Sequence, residues 1–447
     1  MTEDQPQNND NNSETVPSDP PPFSVPFSFW KGGKDILEKT NWEKSWESAI
    51  ETTQEEISGA LNAQRVSFLL GAGCSSSAIP TMKKMVEEFK KTIHSRTPDP
   101  DTVLQRDLGI DLQNTENLES LLGRLYNAQK ALGDLSNNQE SQDLKTLKDA
   151  VKKTIEHIRK LILDFFLQKN SNTKKYNFNK AIELYQQFYQ KLIFRDRALP
   201  RPWIFTTNYD LFNEQAMDRL GIPYCNGFSG VIERYFNPSV FRYSLGQQLD
   251  ISSRHWEPVD HFVYLCKLHG SISWQESQEN TSLFRIKEIQ PGESDTSADP
   301  APVLIYPTPM KQSASLGSPY VDLFREFHKQ IVCEQSVLFT IGYSFGDEHI
   351  NNIIFQALTI PNFRLIILID KNNFKSGVVK TLFELDDPRI WIISDNDTQT
   401  NQGTDKQKEQ KAYHFETFIK HFMPPEPPKD SDKAIRQVIK ECLKEKK

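Results

Sequence analysis

Four polar clusters stand where apolar runs of this 447-residue chain end, and their residue types suit the capture of an anionic ligand. Gly71-Ala72-Gly73 follows the run at 65–70, and Asn208-Tyr209-Asp210 follows the run at 202–207. His269-Gly270-Ser271 follows the run that starts at 261, and Gly342-Tyr343-Ser344-Phe345-Gly346-Asp347 follows 336–341. Gly71 and Gly73 let the backbone turn tightly and approach a ligand with no Cβ in the way. A helix expected over 82–94 aims its free N–H groups and positive dipole end at that turn, which makes the stretch a diphosphate cradle. The other clusters bring an amide, a carboxylate and an imidazole. Each also has a local explanation: Asn208 as a turn residue or helix cap, Asp210 as a first-turn dipole partner, His269 as a loop histidine, 342–347 as an ordinary helix start. All four at strand ends favour one shared site, because an open parallel sheet binds ligands beyond the carboxyl ends of its strands.

The elements that must position these clusters alternate between strand and helix. Apolar runs at 65–70, 202–207, 261–265, 303–307, 336–341, 364–370 and 390–393 alternate with helical stretches, apart from a loop-rich region at 226–258 and a polar surface excursion at 275–302. That is the pattern of an α/β fold with a doubly wound, Rossmann-like parallel sheet. From 82 to 194 the pattern is helical. Leu144, Leu147, Val151, Ile155, Ile158, Leu161, Ile162, Phe165 and Phe166 recur at spacings of three and four, and Ile182, Tyr185, Phe188, Tyr189, Leu192 and Ile193 form a second stripe. Both stripes read as core, so a helical subdomain is inserted at about 95–200 and caps the cleft.

Around this body, 1–26 is a polar arm with almost nothing to bury, expected to be disordered. Residues 27–63 carry Phe27, Phe29, Trp30, Trp42 and Trp46 and read as an N-terminal helical segment packed on the body. The catalytic domain is expected over 64–423. A proline linker and a short amphipathic helix through Ile435, Val438, Ile439, Cys442 and Leu443 fill 424–447.

Composition narrows the function classes. A formal net charge of -7 argues against a surface built for direct nucleic-acid binding. The five cysteines, Cys74, Cys225, Cys266, Cys333 and Cys442, form no CxxC pair, so neither a cysteine zinc ribbon nor a disulfide framework is expected, and no metal. The acidic, polar start is unlike a signal peptide, and no apolar run approaches the roughly 20 residues needed to span a bilayer. A cytoplasmic protein is expected. The usual dehydrogenase fingerprint fails, since its third glycine would fall at Ser76 and no acidic residue ends a second strand at the expected distance.

In their order, LLGAGCSSSAIP, FTTNYD, CKLHGSISW and TIGYSFGDEHI resemble the sirtuin-like superfamily, and within it the bacterial sirtuin-like NAD-hydrolysing effectors of antiphage defence. The matching residues are Gly71, Ala72, Gly73, Ser75, Ile79 and Pro80, then Asn208 and Asp210, then His269, Gly270 and Ser271. The loop between Ser75 and Pro80 is one residue short of the sirtuin pattern, Ala78 replaces a glycine, and Thr207 replaces the glutamine before the asparagine. Protein-deacylating sirtuins also hold zinc on four cysteines, a set this chain lacks.

The resemblance implies cleavage of NAD+ to nicotinamide and ADP-ribose, with Asn208 holding the ribose and attacking water and His269 as general base. It implies that Asp210 orients the ribose or its neighbours. Gly71, Ala72, Gly73 and Ser75 would cradle the diphosphate, and Gly342, Ser344 and Asp347 would line the adenosine half. His349 stands beside them as an alternative with a plain helix-start role. The resemblance further implies a homo-oligomer controlled by a hexameric HerA-type ATPase. Competing readings are an NAD-dependent protein deacylase and a non-catalytic ADP-ribose or NAD-binding scaffold.

Overall fold

The computed structural model describes residues 27–37, 46–80, 82–93, 100–134, 141–166, 176–196, 198–250, 255–259, 261–276, 286–289, 302–304, 319–395 and 411–425. The expected polar arm, Trp42 and the expected C-terminal helix lie outside these residues.

Nine strands make the central sheet. In chain order they are β1 (Phe27–Lys31), β2 (Lys34–Asp35), β3 (Arg65–Leu70), β4 (Trp203–Thr206), β5 (Tyr224–Cys225), β6 (Val263–Lys267), β7 (Ser336–Ile341), β8 (Arg364–Leu368) and β9 (Ile390–Asp395). Their spatial order is β2-β1-β9-β8-β7-β3-β4-β6-β5. From β9 to β5 every pairing is parallel. Along β3, Val66, Phe68 and Leu70 enter one core and Leu69 the other; along β7, Val337, Phe339 and Ile341 oppose Leu338 in the same way. The period-two alternation of an all-apolar strand therefore buries both faces, as a doubly wound sheet requires.

Helices cover both faces. α1 (Trp46–Leu61) precedes β3, and α2 (Met82–Ile93), α3 (Pro100–Leu108), α4 (Leu118–Asp134), α5 (Gln142–Phe166) and α6 (Phe178–Leu192) fill the long crossover to β4. The expected stripe on α5 is buried at Leu147, Val151, Ile155, Ile158, Leu161 and Ile162. α6 lies on the sheet itself: Phe188 stands edge-on to Phe68 at 5.1 Å, and Phe68 stacks on Phe339 of β7 at 4.9 Å. Each such ring pair adds about 0.5–1.5 kcal/mol beyond its buried area. α7 (Phe212–Leu220) follows β4 on this face, while α8 (Tyr320–Ile331) and α9 (Glu348–Leu358) cover the other. Among the described residues no helix is long and apolar enough to cross a membrane.

Two expectations change. Segment 27–63 is not helical throughout: β1 pairs antiparallel with β9 and extends the central sheet. Phe27 and Phe29, two apart on a strand, are both buried, and Phe29 meets Trp391 at 5.5 Å. Of the run at 303–307, the described residues Val303 and Leu304 are not part of the parallel set. Pro302–Leu304 pairs antiparallel with Gly270–Glu276 in a second, five-stranded sheet that continues through Ile286–Glu288, Arg234–Phe236 and Phe228–Ser229. A short apolar run fits an antiparallel strand as well as a parallel one, so only its partner decides. The chain passes from β6 into this second sheet at Gly270, whose φ of +91 suits glycine.

Candidate active site

From β3 the chain works outward to β4, β5 and β6, then returns to the other side of β3 as β7 and continues through β8 and β9. The gap between β3 and β7 is therefore the topological switch point, where open α/β sheets bind ligands. The glycines of both strand ends meet there. The Gly73 N–H donates to the Gly342 carbonyl at 3.0 Å, a Cβ on Gly73 would lie 2.6 Å from the Gly342 Cα, and one on Gly342 (φ +64) 2.6 Å from the Cys74 nitrogen. These glycines first let two turns touch. Ala72 and Gly73 stay exposed at the rim. The turn after Gly71 is a 3₁₀ helix, Ala72–Ser75, and α2 spans Met82–Ile93, where the helix was expected.

Behind the rim, Ser75 organises a buried hydrogen-bonded group. Its hydroxyl donates to Asp210 Oδ2 at 2.7 Å. With its one proton so used, Ser75 Oγ accepts from Asn208 Nδ2 at 3.2 Å and from the Tyr185 hydroxyl at 3.2 Å. The other Nδ2 proton of Asn208 goes to the Gly71 carbonyl at 3.0 Å. Both amide donors are thus committed to protein, which leaves Oδ1 as the group with which Asn208 can meet a ligand. Ser75, expected in a diphosphate cradle, is only 2% exposed, and its hydroxyl is engaged with Asp210, Asn208 and Tyr185.

Asn208 and His269 follow neighbouring strands: Thr206 of β4 is in register with Lys267 of β6, and the Leu268 N–H donates to the Thr206 carbonyl at 2.8 Å. Both side chains are buried. His269 Nε2 lies 2.9 Å from Asp347 Oδ2, an ion-pair separation. Asp347 Oδ1 caps α9 by accepting from the His349 N–H at 3.1 Å. Asp347, expected at the adenosine half, faces His269. Gly342 likewise sits against Gly73 and Cys74, and Ser344 is exposed on the connecting loop.

Two residues of this group were not singled out for chemistry by the sequence. Tyr185 belongs to the apolar stripe of α6, where periodicity marks it only as core. Lys267, 1% exposed, sends Nζ to Glu214 Oε1 and Ser271 Oγ, each at 2.9 Å, and to the carbonyls of Tyr209 and Asp210. A lone lysine two residues before His269 was the available signal.

Burial pushes the Asp210 carboxyl up, against the Lys267 charge, the Ser75 hydroxyl and the Phe212 N–H, which pull it down. Burial, then the Asp210 charge, drives the Cys74 thiol and the Tyr185 hydroxyl well above their ordinary values. Both stay protonated at neutral pH, which suits Tyr185 as a donor and denies Cys74 a nucleophilic role. Among the described residues no group of His, Cys, Asp and Glu is arranged to hold a metal ion.

No curated protein matches the chain. Residues 202–376, less than half of it, match the family model described as SIR2-like domain. The match takes in Asn208, Asp210, His269, Gly342, Ser344 and Asp347, and stops short of Gly71 to Ser75, which the fold brings to the same place. The switch-point site and this match together support a sirtuin-like protein with an NAD-related activity.

Proposed function

We propose that the protein hydrolyses NAD+ to nicotinamide and ADP-ribose. The observation that carries the reading is the placement of Asn208 and His269, both buried, just beyond the ends of adjacent strands beside the switch point. The nicotinamide ring of the substrate is a cationic pyridinium. When its bond to ribose breaks, the electron pair leaves with the ring as neutral nicotinamide and the sugar becomes oxocarbenium-like. Such a step needs orientation more than strong acid. Asn208 offers Oδ1 as an acceptor for a ribose hydroxyl or the attacking water. His269 takes the proton that water loses as its oxygen bonds to the sugar, and Asp347 stabilises the imidazolium formed. A positioned base contributes about 10²–10⁴-fold. The exposed backbone of Ala72 and Gly73, with no bulky side chain, fits the diphosphate at the rim.

The likeness to antiphage effectors extends the reading to depletion of cellular NAD+ during infection, in a homo-oligomer controlled by a hexameric HerA-type ATPase. The test is nicotinamide release from NAD+ by the full chain, alone and with the neighbouring gene's product. Release that disappears in Asn208→Ala and in His269→Ala supports the assignment; release that survives both overturns it. Release that requires an acetyl-lysine peptide would replace hydrolysis by deacylation.

A further inference from the structure

We propose that Lys267 is a positioning residue for Asn208, acting through Asp210 and Ser75, and that it ties the two strand-end motifs into one working unit. This deepens the hydrolase reading and rests on it. Lys267 is the cation of β6 nearest His269 in sequence, yet its ammonium turns toward the other motif. It holds the carbonyls of Tyr209 and Asp210, the Glu214 carboxylate and the Ser271 hydroxyl. One buried group thus grips the turn that carries Asn208 and the strand that leaves His269.

Neutral donors would suffice to satisfy carbonyls. The charge has a separate use. Three buried or nearly buried carboxylates, Asp210, Glu214 and Glu288, share the region with two cations. Arg234 pairs with Glu288 at 3.0 Å and Lys267 with Glu214 at 2.9 Å, so among the described residues Asp210 has no direct ion pair of its own. The groups acting on Asp210 are Lys267 from β6, Glu214 and the Phe212 N–H from α7, and Ser75 from the 3₁₀ turn, and its charge in turn acts on Tyr185 of α6 and Cys74. Among the charged ones, only Lys267 favours the carboxylate.

The state of Asp210 fixes the direction of the hydrogen bonds. An ionised Asp210 is acceptor only, so the Ser75 proton must point to it and both Ser75 lone pairs are open to Asn208 and Tyr185. A protonated Asp210 donates to Ser75 instead. Ser75 Oγ would then face three donors with two lone pairs, and its own proton would be directed at Asn208 or Tyr185. If that proton takes the Asn208 side, the amide loses an acceptor and Oδ1 its fixed aim; if it takes the Tyr185 side, the phenol must turn from donor to acceptor.

The experiment uses the full chain and compares wild type with Lys267→Met, Lys267→Arg and Lys267→Met/Glu214→Gln. The double variant removes the ion pair as a unit, so no Glu214 charge is left buried alone. Thermal melting followed by circular dichroism checks folding; nicotinamide release gives kcat, KM and the pH profile. A misplaced active-site group costs about 10², so kcat of the folded double variant should fall about 10²-fold with KM little changed. The acid limb should move to higher pH, since the Lys267 charge acts on Asp210 more strongly than that of Glu214. Lys267→Arg, which keeps the charge, should return the acid limb toward wild type. A double variant that melts like wild type with wild-type kcat and an unmoved acid limb overturns the proposal. If wild type itself releases no nicotinamide, the hydrolase reading fails, and crystal structures decide this inference alone. An Asn208 amide turned away from Gly71 and Ser75 in the double variant supports it; an unchanged amide refutes it.

Discussion

Replacing Gly342 by alanine tests whether contact between two glycine turns holds this site together. Three glycines allow the cost to be separated. Gly133, in the last turn of α4, has open space around it, and alanine there should stabilise by up to about 0.5–1 kcal/mol through backbone entropy alone. Gly109 also has open space but a φ of +62, so alanine should cost about 1–2 kcal/mol for the left-handed conformation. Gly342 combines φ +64 with backbone overlap: the new Cβ would lie 2.6 Å from the Cys74 nitrogen and 2.8 Å from the Gly73 Cα. Both are main-chain atoms that cannot swing aside. Overpacking of this kind adds about 1–3 kcal/mol, for a total near 2–5 kcal/mol. Urea denaturation of the three variants measures the difference directly. Because relief would push Gly73 to Ser75 away from β7 and so disturb the acceptor of Asn208, nicotinamide release should also fall by up to about 10². The reasoning is refuted if Gly342→Ala costs no more than Gly109→Ala, since overlap would then contribute nothing.

Asp347→Asn should leave stability nearly unchanged, because asparagine caps a helix about as well as aspartate. Its kcat should fall about tenfold or more, a share of the 10²–10⁴ that a positioned base supplies; a folded variant with undiminished kcat would leave Asp347 as a cap only. Asp210→Asn addresses pH. The folded Asp210 is raised above its unfolded value, chiefly by burial, so its contribution to stability is fully present below the unfolded value and is lost as pH rises through the folded one. The variant lacks that loss. Its stability relative to wild type should therefore improve from mildly acid to neutral pH in parallel urea titrations, while nicotinamide release is lost; a variant whose stability relative to wild type falls with rising pH would contradict the sign.

The strand ends were legible in the sequence because glycine, asparagine, aspartate and histidine interrupt apolar runs abruptly, and a parallel sheet gathers such interruptions at one edge. The placement of Gly71, Asn208 and Ser75 around shared hydrogen bonds follows from that rule. What each residue touches was less legible. Ser75 looked like a phosphate ligand because a hydroxyl in a glycine turn suits an anion, whereas burial turned it toward Asp210. Tyr185 was hidden by its own periodicity, since a helix stripe gives no sign that one phenol reaches past the core into a polar group. β1 was missed for a related reason. Five residues next to a sheet edge carry too short a pattern to separate alternating strand from helix, and the partner that fixes the matter, β9, lies more than 350 residues away.

The loop that delivers Asp347 shows how closely its position is determined. Gly342 and Phe345 both adopt left-handed backbone, with φ of +64 and +58. For phenylalanine this conformation costs about 1–3 kcal/mol and persists only where surroundings enforce it. They do so here. Phe345 is buried against Tyr343 at 5.0 Å, and its carbonyl accepts from Asn351 Nδ2 at 2.8 Å. The Tyr343 hydroxyl shares its proton between the Asp347 carbonyl at 3.2 Å and Asn351 Oδ1 at 3.1 Å. Asn351, one turn into α9, thus binds the strained loop to the helix that Asp347 caps. A cap alone needs none of this, because an aspartate before a helix finds the first-turn N–H groups with ordinary backbone. Strain held in place two residues before a carboxylate that faces an imidazole is better explained by the second contact of Asp347 than by its first.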